Sequence, residues 1–272
     1  MSEYKGKTAL ITGASSGIGA AFARELARRG MQLILVARSA DRLRQLADEL
    51  GAQYGVRVEV LPLDLGTDHA AERVRAEVER RGLAVDLLIN NAGFATHGPF
   101  EELSAIRDHE QVTLNVTALV DLTHAFVPQL LARRGAVINL ASTVAFQPTP
   151  YMAVYGATKA FVTSFSVALA EEYRGRGLRV LALCPGATDT AFFDVVGSDS
   201  MAVGRKRSSK QVVATALRAL KCGQSVVVDG TFNALLANLG KLAPFALAAR
   251  VAAFITRPRK SPQPEAVAKR TR

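Results

Sequence analysis

The sequence predicts an α/β fold in which a doubly wound parallel sheet of about seven strands carries helices on both faces. Short apolar runs alternate with amphipathic helical patterns, which is the order that consecutive β-α-β units require. The segment Gln32–Ala37 reads QLILVA and lacks the alternating polar positions of a strand with one face in water. The next segment, Ala40–Tyr54, places Leu43, Leu46 and Leu50 on one helical face.

The remaining elements continue this alternation through most of the chain. Further strands are predicted at 7–12, 57–63, 85–90, 136–141, 178–184 and 225–228. Further helices are predicted at 17–30, 68–82, 104–134 with an interruption, 153–175 and 210–222. Because no internal repeat or low-complexity linker divides them, we expect residues 1–256 to form one domain, which includes a helical extension over 231–256.

The composition is that of a globular protein with a sizeable core. The chain has 272 residues, of which 49% are hydrophobic and 21% are charged. Its two cysteines, Cys184 and Cys222, do not suggest a disulfide framework or a metal site. The N-terminal residues 1–7 are polar and lack the apolar core of a secretory signal, so a reducing cytoplasm is the expected location.

The positive charge is concentrated at the C-terminus. The net charge is +10, and the segment 257–272 contributes six cationic side chains against one carboxylate. We expect this basic tail to be disordered and solvated. The alternative is attraction to anionic lipid headgroups, which would place the protein peripherally on a membrane. Nucleic acid is not an expected partner, because no aromatic platform for base stacking accompanies the cations.

A glycine-rich turn follows the first predicted strand. Residues 12–19 read TGASSGIG, which places Gly13, Gly17 and Gly19 between a strand and a helix. Glycines permit a tight turn and let a pyrophosphate approach the main chain, while the helix presents free N–H groups and its positive dipole end. The GxxxGxG spacing differs from the common GxGxxG fingerprint, and a merely structural turn is the alternative interpretation.

Further motifs follow this turn in a fixed order. They are Asn90-Asn91-Ala92-Gly93, Asn115, Ser142, Tyr155-Gly156-Ala157-Thr158-Lys159 and Pro185-Gly186. Together with the turn, they resemble the short-chain dehydrogenase/reductase family over residues 5–228. The resemblance implies a Rossmann-like fold, a nicotinamide dinucleotide as cofactor and a small carbonyl or alcohol substrate. Assembly as a homodimer or homotetramer is also expected.

The end of the second strand favours NADP(H) over NAD(H). An Asp or Glu at this position would bond the ribose 2′-hydroxyl and repel a 2′-phosphate, but Ala37 stands there. Arg38 can form a forked, charge-assisted pair with the phosphate, and Ser39 and Ser15 can add hydroxyl donors. The alternative is an ordinary surface arginine at the start of a helix.

The resemblance also implies the remaining cofactor contacts. Asp64 and Leu65 would border the adenine, and Asn91 and Gly93 would line the adenosine ribose. Thr188 through its main chain and Thr190 through its hydroxyl would contact the nicotinamide carboxamide. The full set of implied contacts is Gly13, Ser15, Ser16, Gly17, Ile18, Gly19, Arg38, Ser39, Asp64, Leu65, Asn91, Ala92, Gly93, Tyr155, Lys159, Pro185, Gly186, Thr188 and Thr190.

Tyr155 and Lys159 are spaced to share one face of a helix, and Ser142 follows an apolar strand upstream. A nearby ammonium and the cationic nicotinamide of the oxidised cofactor would lower the pKa of the tyrosine from about 10 toward the operating pH. The resemblance implies that Tyr155 exchanges the substrate proton, Ser142 positions the substrate oxygen and Lys159 also binds the nicotinamide ribose. Asn115 would hold a water that links Lys159 to solvent, and a simple helix kink is its alternative role.

A substrate lid is expected between residues 189 and 210. It contains Phe192, Phe193, Val195, Val196 and Met201, followed by Arg205, Lys206, Arg207 and Lys210. The apolar part would cover a lipophilic substrate, and the basic part would meet a phosphate or carboxylate, such as that of an acyl-CoA. The alternative is a solvated loop without a ligand. Phe146 and Tyr151 would line a wall of the cleft, and His97 would lie near its mouth.

The predicted C-terminal extension is rich in large apolar side chains. These are Leu235, Leu236, Leu239, Leu242, Phe245, Leu247, Val251, Phe254 and Ile255. We expect them to cover the substrate cleft or a subunit contact, with binding at a membrane interface as the alternative. The extension and the stretch NNAGFATHGPF resemble the branch of the family that contains steroid and long-chain 3-ketoacyl reductases.

The predicted function is NADP(H)-dependent hydride transfer between the nicotinamide and a ketone or secondary alcohol, with a lipophilic carbonyl compound as the expected substrate. One alternative is a dinucleotide-binding scaffold without catalysis, which predicts that one or more of the catalytic residues are missing. Another is a protein whose main task is lipid association. The catalytic tetrad is complete in the sequence, with Asn115, Ser142, Tyr155 and Lys159, which favours the enzyme.

Overall fold

The structure is a computed structural model that describes residues 4–190, 206–242 and 244–258. Its strands are β1 (Thr8–Thr12), β2 (Gln32–Ala37), β3 (Val58–Pro62), β4 (Leu87–Asn90), β5 (Ala136–Leu140), β6 (Arg179–Cys184), β7 (Thr188–Asp189), β8 (Arg207–Ser208) and β9 (Val226–Val228). Its helices are α1 (Gly17–Arg28), α2 (Ala40–Tyr54), α3 (Ala70–Arg80), α4 (Ala105–Val112), α5 (Ala118–Ala132), α6 (Ala153–Glu172), α7 (Ser209–Lys221), α8 (Thr231–Leu242) and α9 (Phe245–Thr256). The predicted lid residues Phe192, Phe193, Val195, Val196, Met201 and Arg205, and the tail beyond residue 258, lie outside the described residues.

One seven-stranded sheet, with the order β3-β2-β1-β4-β5-β6-β9, organises the molecule. Every neighbouring pair of strands in it is parallel. The chain proceeds from β1 through β2 to β3 and then returns to place β4 on the other side of β1. This reversal leaves a crevice beyond the carboxyl ends of β1 and β4, where ligands bind in doubly wound sheets. The predicted fold class is confirmed.

The side chains of β2 alternate between two separate cores. Leu33 and Leu35 pack with α1 and α7 on one face, while Ile34 and Val36 pack with α3 and α5 on the other. All four side chains are buried. Helices therefore cover both faces of the sheet, which explains why this strand has no alternation of polar and apolar residues.

Several boundaries differ from the sequence-based expectations. The predicted interruption of the helix at 104–134 is a π-helical turn over Thr113–Thr117, between α4 and α5. The helix predicted at 68–82 begins only at Ala70, because His69 adopts a left-handed backbone with φ of 57°. The short strands β7 and β8 were not predicted, and they pair as a separate parallel ladder.

Within the described part of the chain, α6 is the one helix that has the length and hydropathy of a membrane span. It packs against β5 and β6 and carries both Tyr155 and Lys159 among its buried residues. One part of α6 is therefore buried in the fold, whereas its Phe161 and Val167 are exposed.

Candidate active site

The glycine turn closes tightly around the start of α1. Gly13 and Gly17 have φ values of 62° and 55°, a left-handed conformation that favours glycine. A Cβ on Gly19 would lie 2.4 Å from the carbonyl oxygen of Gly13, so a larger residue does not fit there. Ser16 is the N-cap of α1, and its hydroxyl makes no capping bond within the described residues. The turn thus presents hydroxyl and N–H donors at a positive helix end, which suits a phosphate.

Thr12 and Asn91 fasten this turn to the end of β4. The Thr12 hydroxyl oxygen accepts from the main-chain nitrogens of Asn91 and Ala92, at 2.9 and 3.0 Å. The Asn91 side-chain nitrogen donates to the carbonyl oxygens of Thr12 and Gly13, at 2.9 and 3.2 Å. The side-chain nitrogen of Asn91 is therefore hydrogen bonded to the main chain of the turn. Thr12 is the first residue of the TGASSGIG motif and is not among the predicted site residues, although its place at the end of β1 is a usable signal.

The residues predicted for the adenosine end lie together after β2 and β3. One terminal guanidinium nitrogen of Arg38 is 4.0 Å from a carboxylate oxygen of Asp64, and the Arg38 side chain is 77% exposed. Ser39 is the N-cap of α2. Leu65 is buried in the core beside the sheet. Ala37 stands where an acid would repel a phosphate. The exposed Arg38 guanidinium at this edge can therefore donate hydrogen bonds to a phosphate.

The turn after β6 completes the other end of the crevice. The Thr188 hydroxyl donates to the carbonyl oxygen of Gly186 at 3.0 Å, and Thr188 is buried. A Cβ on Gly17 would lie 3.3 Å from the Thr190 methyl carbon, so Thr190 adjoins the glycine turn. A Cβ on Gly186 would lie 2.4 Å from the side-chain nitrogen of Asn233 in α8. Asn233 was not predicted, because α8 follows the matched motifs in the sequence.

The structure corrects the prediction for Arg207. Its guanidinium Nε donates to Asp229 at 2.6 Å, and the Asp229 side chain is fully buried. The other carboxylate oxygen of Asp229 accepts from the Thr215 hydroxyl, at 2.6 Å. The Arg207 main-chain nitrogen also donates to the carbonyl oxygen of Ala187. Arg207 is therefore a structural residue that ties β8 to β9 and to the Pro185-Gly186 turn, and it does not belong to a free basic cluster for substrate.

Three of the predicted catalytic residues meet at the carboxyl ends of β5 and β6. Tyr155 and Lys159 are 8% and 6% exposed. The Lys159 ammonium donates to the carbonyl oxygen of Leu140 at 2.7 Å and lies 5.7 Å from the centroid of the Tyr155 ring. Ser142, two residues after β5, is hydrogen bonded to the Tyr155 hydroxyl. This arrangement can position a carbonyl oxygen against two hydroxyl groups.

Asn115 lies in the π-helical turn and links three parts of the site. Its side-chain nitrogen donates to the carbonyl oxygen of Phe94 at 2.9 Å and to the Thr158 hydroxyl at 3.2 Å. Its side-chain oxygen accepts from the Phe94 nitrogen at 3.1 Å. A Cβ on Gly93 would lie 2.7 Å from that oxygen, which explains the glycine. The turn therefore aims Asn115 at the loop after β4 and at α6.

Burial controls the pKa values of the tyrosine and the lysine. Burial raises the pKa of Tyr155 to about 12, and the hydrogen bond with Ser142 opposes that shift. Burial lowers the pKa of Lys159 to about 8, although nearby Cys184 opposes that shift. The expected lowering of the pKa of Tyr155 is therefore not found for the polypeptide alone. The loss of hydration outweighs the hydrogen bond with Ser142, and the Lys159 ammonium is bonded to the carbonyl oxygen of Leu140.

The C-terminal helices form part of the wall beside this site. The main chain at Phe146 and the side chain of Gln147 approach Gly240 of α8. An imidazole nitrogen of His97 lies 2.8 Å from the carbonyl oxygen of Thr256, the last residue of α9. The Thr256 hydroxyl donates to the carbonyl oxygen of Pro150. His97 is thus hydrogen bonded to the C-terminal end of α9.

Comparison with known proteins is consistent with this geometry. Residues 7–200 match the sequence profile of the family described as short chain dehydrogenase. The chain belongs to the short-chain dehydrogenase family. The match covers most of the chain and most of the seven-stranded parallel sheet. It also includes the glycine turn and the buried Tyr155 and Lys159.

Relatives in the family differ in the substrates that their names give. A very-long-chain 3-oxoacyl-CoA reductase from Anas platyrhynchos is 36% identical over 187 residues, which cover 66% of this chain and 59% of that protein. A serine 3-dehydrogenase from Agrobacterium fabrum is 38% identical over 187 residues, covering 68% of this chain and 73% of that protein. A short-chain dehydrogenase from Sphingobium yanoikuyae, solved in complex with NADPH, is 35% identical. That comparison covers 95% of this chain and 99% of the other, with a TM-score of 0.78.

We predict that Asp229→Ala destabilises the fold, because it leaves the Arg207 guanidinium without its buried partner. The free energy of unfolding should fall by about 3 kcal/mol. Chemical denaturation followed by circular dichroism measures this change. Glu171→Ala is the matched control, since it breaks an exposed ion pair with Arg174 and should cost less than about 1 kcal/mol. Equal small losses in both variants would contradict the structural role of Asp229.

We also predict a pH-dependent effect of removing Lys159. Below about pH 8 the folded protein holds a buried cation, whose cost destabilises the fold. Between about pH 8 and pH 10.5 the unfolded chain binds more protons than the folded protein, so this cost is lost as pH rises. Relative to Lys159→Met, the free energy of unfolding of the wild type should therefore increase by about 3 kcal/mol across that interval. Denaturant titrations at a series of pH values test this, with Lys221→Met as the surface control. A constant difference between wild type and Lys159→Met would refute it.

Proposed function

We propose that the protein is an NADP(H)-dependent oxidoreductase that interconverts a ketone and a secondary alcohol, with Tyr155 as general acid and base. The observation that carries the proposal is the convergence of Ser142, Tyr155 and Lys159 at the carboxyl end of β5, with Asn115 hydrogen bonded to the helix that carries Tyr155 and Lys159. When bound, the nicotinamide would supply the hydride chemistry. The polypeptide would supply position, a proton and an apolar surrounding.

The phenol of Tyr155 is suited to give a proton to a carbonyl oxygen. Because burial raises its pKa to about 12, the hydroxyl is protonated at neutral pH. The Ser142 hydroxyl lies within hydrogen-bonding distance of it, so both O–H groups can bond one substrate oxygen. A carbonyl held by two donors has its oxygen fixed and its carbon more electrophilic.

The ammonium of Lys159 would stabilise the phenolate that remains after the proton has left. Its nitrogen lies 5.7 Å from the centroid of the Tyr155 ring, and the surroundings are buried, where screening by water is weak. Its bond to the Leu140 carbonyl oxygen keeps the cation in place. In the oxidation direction, the same cation and a cationic nicotinamide would together favour loss of the Tyr155 proton.

Arg38 supports NADP(H) as the preferred cofactor. Its contact with Asp64 is long, at 4.0 Å, and exposed, and such pairs contribute less than about 1 kcal/mol. A 2′-phosphate would offer the guanidinium a stronger, charge-assisted partner. The related protein from Sphingobium yanoikuyae was solved with NADPH, which also supports this cofactor.

The surroundings of the tyrosine support a lipophilic carbonyl substrate. Ala95, Val144 and Met152 pack with Tyr155 in one small apolar cluster. The relative named as a very-long-chain 3-oxoacyl-CoA reductase acts, by its name, on a substrate with a long acyl chain, which suits such surroundings. A scaffold without catalysis is disfavoured, because all four tetrad residues are present and Ser142 is hydrogen bonded to Tyr155.

We further propose a homodimer or homotetramer in the cytoplasm. Apolar side chains are exposed on α4 and α6, among them Ile106, Phe161 and Val167, and a second copy of the chain would cover them. Cys222 is a free, exposed cysteine, which fits a reducing compartment.

We predict that Tyr155→Phe lowers kcat by at least about 100-fold while NADPH binding changes little, because only the proton-exchanging hydroxyl is removed. Turnover of a ketone panel, followed by NADPH oxidation, gives the rates, and fluorescence titration gives the affinity for NADPH. Tyr173→Phe, at the end of α6, is the matched control and should retain wild-type turnover. Tyr155→Phe turnover within a few-fold of wild type would rule out the proposed mechanism.

We predict a preference for NADPH over NADH of roughly 10- to 100-fold in kcat/KM, from one charge-assisted bond to the 2′-phosphate. Arg38→Asp should abolish or reverse this preference, since a carboxylate repels the phosphate and can bond the ribose hydroxyl. Steady-state kinetics with both cofactors measure it. Arg44→Asp makes the same change of charge on α2 and should leave the preference intact. Equal kcat/KM for the two cofactors in the wild type would show that Arg38 does not select the phosphate.

A further inference from the structure

The last helix, α9, turns its large apolar side chains away from the protein. Ala248 and Ala252 form its buried stripe, whereas Phe245 and Phe254 are 78% and 90% exposed. Helices on the surface of proteins in water have the opposite arrangement, with the apolar stripe inward and polar residues outward. The amphipathic character of α9 is therefore inverted, since small residues contact the protein and large apolar residues face outward.

The preceding helix, α8, repeats this arrangement. Ala237 is buried, Asn233 contacts Gly186, and Gly240 lies against the main chain at Phe146. We call the exposed apolar side chains of both helices the C-terminal surface, which consists of Phe232, Leu235, Leu236, Leu239, Phe245, Leu247, Val251, Phe254 and Ile255. Exposed apolar side chains in this number on two consecutive helices mark an interaction surface.

The charge along this part of the chain has one sign. The sequence 231–272 contains eight cationic residues and a single carboxylate, Glu265. Arg250 is exposed among the apolar residues of α9, and Arg257 follows the helix. A second copy of the chain would bring cations against cations, with no carboxylate in α8 or α9 to pair with them. An anionic lipid surface complements both the apolar residues and the cations.

We propose that the C-terminal surface docks the protein on an anionic phospholipid bilayer. The helix α9 has 12 residues. Its length of about 18 Å is well short of the roughly 30 Å of a hydrocarbon core, so it lies along the membrane and does not cross it. The large apolar side chains enter the boundary between headgroups and acyl chains, while the cations meet lipid phosphates.

Docking in this manner sets the wall of the candidate active site close to lipid. The end of α9 is bonded to His97 and to Pro150, and α8 packs at Phe146. A lipophilic carbonyl compound can then pass from the bilayer into the cleft without dissolving in water. This consequence rests on the proposed function, whereas the docking itself does not.

Co-sedimentation of the full chain with vesicles tests the proposal. One preparation is phosphatidylcholine alone, and the other is phosphatidylcholine mixed with phosphatidylglycerol. We expect the wild type to sediment with the vesicles that contain phosphatidylglycerol, and raised salt to weaken binding, because exposed charges are screened. The double variant Leu235→Glu/Phe254→Glu should bind at least about tenfold more weakly, since two apolar anchors are replaced by carboxylates.

Two controls separate loss of docking from loss of structure. The double variant should unfold at the same denaturant concentration as the wild type, as followed by circular dichroism, because both positions are exposed. Phe100→Glu, which changes an exposed apolar residue outside α8 and α9, should bind vesicles as the wild type does.

Several results would overturn the proposal. One is wild-type protein that remains in the supernatant with both vesicle preparations, and another is a double variant that sediments like the wild type. A third is a wild-type oligomer that binds no vesicles and that the double variant dissociates, as measured by light scattering. That result would assign the surface to contact between copies. Because sedimentation is read without turnover, failure of docking leaves the proposed oxidoreductase activity standing.

Discussion

Burial of Tyr155 and Lys159 at the carboxyl edge of the sheet is the constraint on which the candidate site depends. Loss of hydration raises the pKa of the phenol to about 12 and lowers that of the ammonium to about 8. Both shifts favour the neutral forms, so each charge must be stabilised by a neighbour at a fixed position. Lys159 meets this need through the carbonyl oxygen of Leu140, and Tyr155 through the hydroxyl of Ser142.

Buried polar bonds hold the loops around this pair. Asn115 connects the loop after β4 to α6, and its side chain is 1% exposed. Asp229 plays a similar part on the other side, where it joins Arg207 to Thr215. Buried polar groups with complete partners fix one geometry, since any shift would leave one of them unpaired. The site can thus be positioned accurately although its residues come from many separate segments.

The sequence predicts most of the fold because apolar patterning is local. The uniform run in β2 and the leucine face of α2 are explained by burial against immediate neighbours, and both elements have the predicted bounds. The motif residues were also found in sequence, since their spacing is short and their order along the chain is fixed. Their roles toward cofactor and substrate remain predictions.

What the sequence does not reveal depends on contacts between distant segments. Arg207 lies in a run of cations, and no local pattern shows that it forms an ion pair with the buried carboxylate of Asp229. The direction of the Tyr155 pKa shift also depends on burial, which the spacing to Lys159 does not report. A lone acid directly after the apolar strand β9 is the signal that could have identified Asp229.

The central claim is that hydride and proton reach one carbonyl group at the Tyr155 site. Its most direct test is a reaction of a lipophilic ketone with NADPH that carries deuterium at the transferable position of nicotinamide C4. We expect mass spectrometry to find this deuterium on the carbinol carbon of the alcohol product, and Tyr155→Phe to form almost none of that product. NADPH binding without any labelled alcohol across a ketone panel would contradict the account.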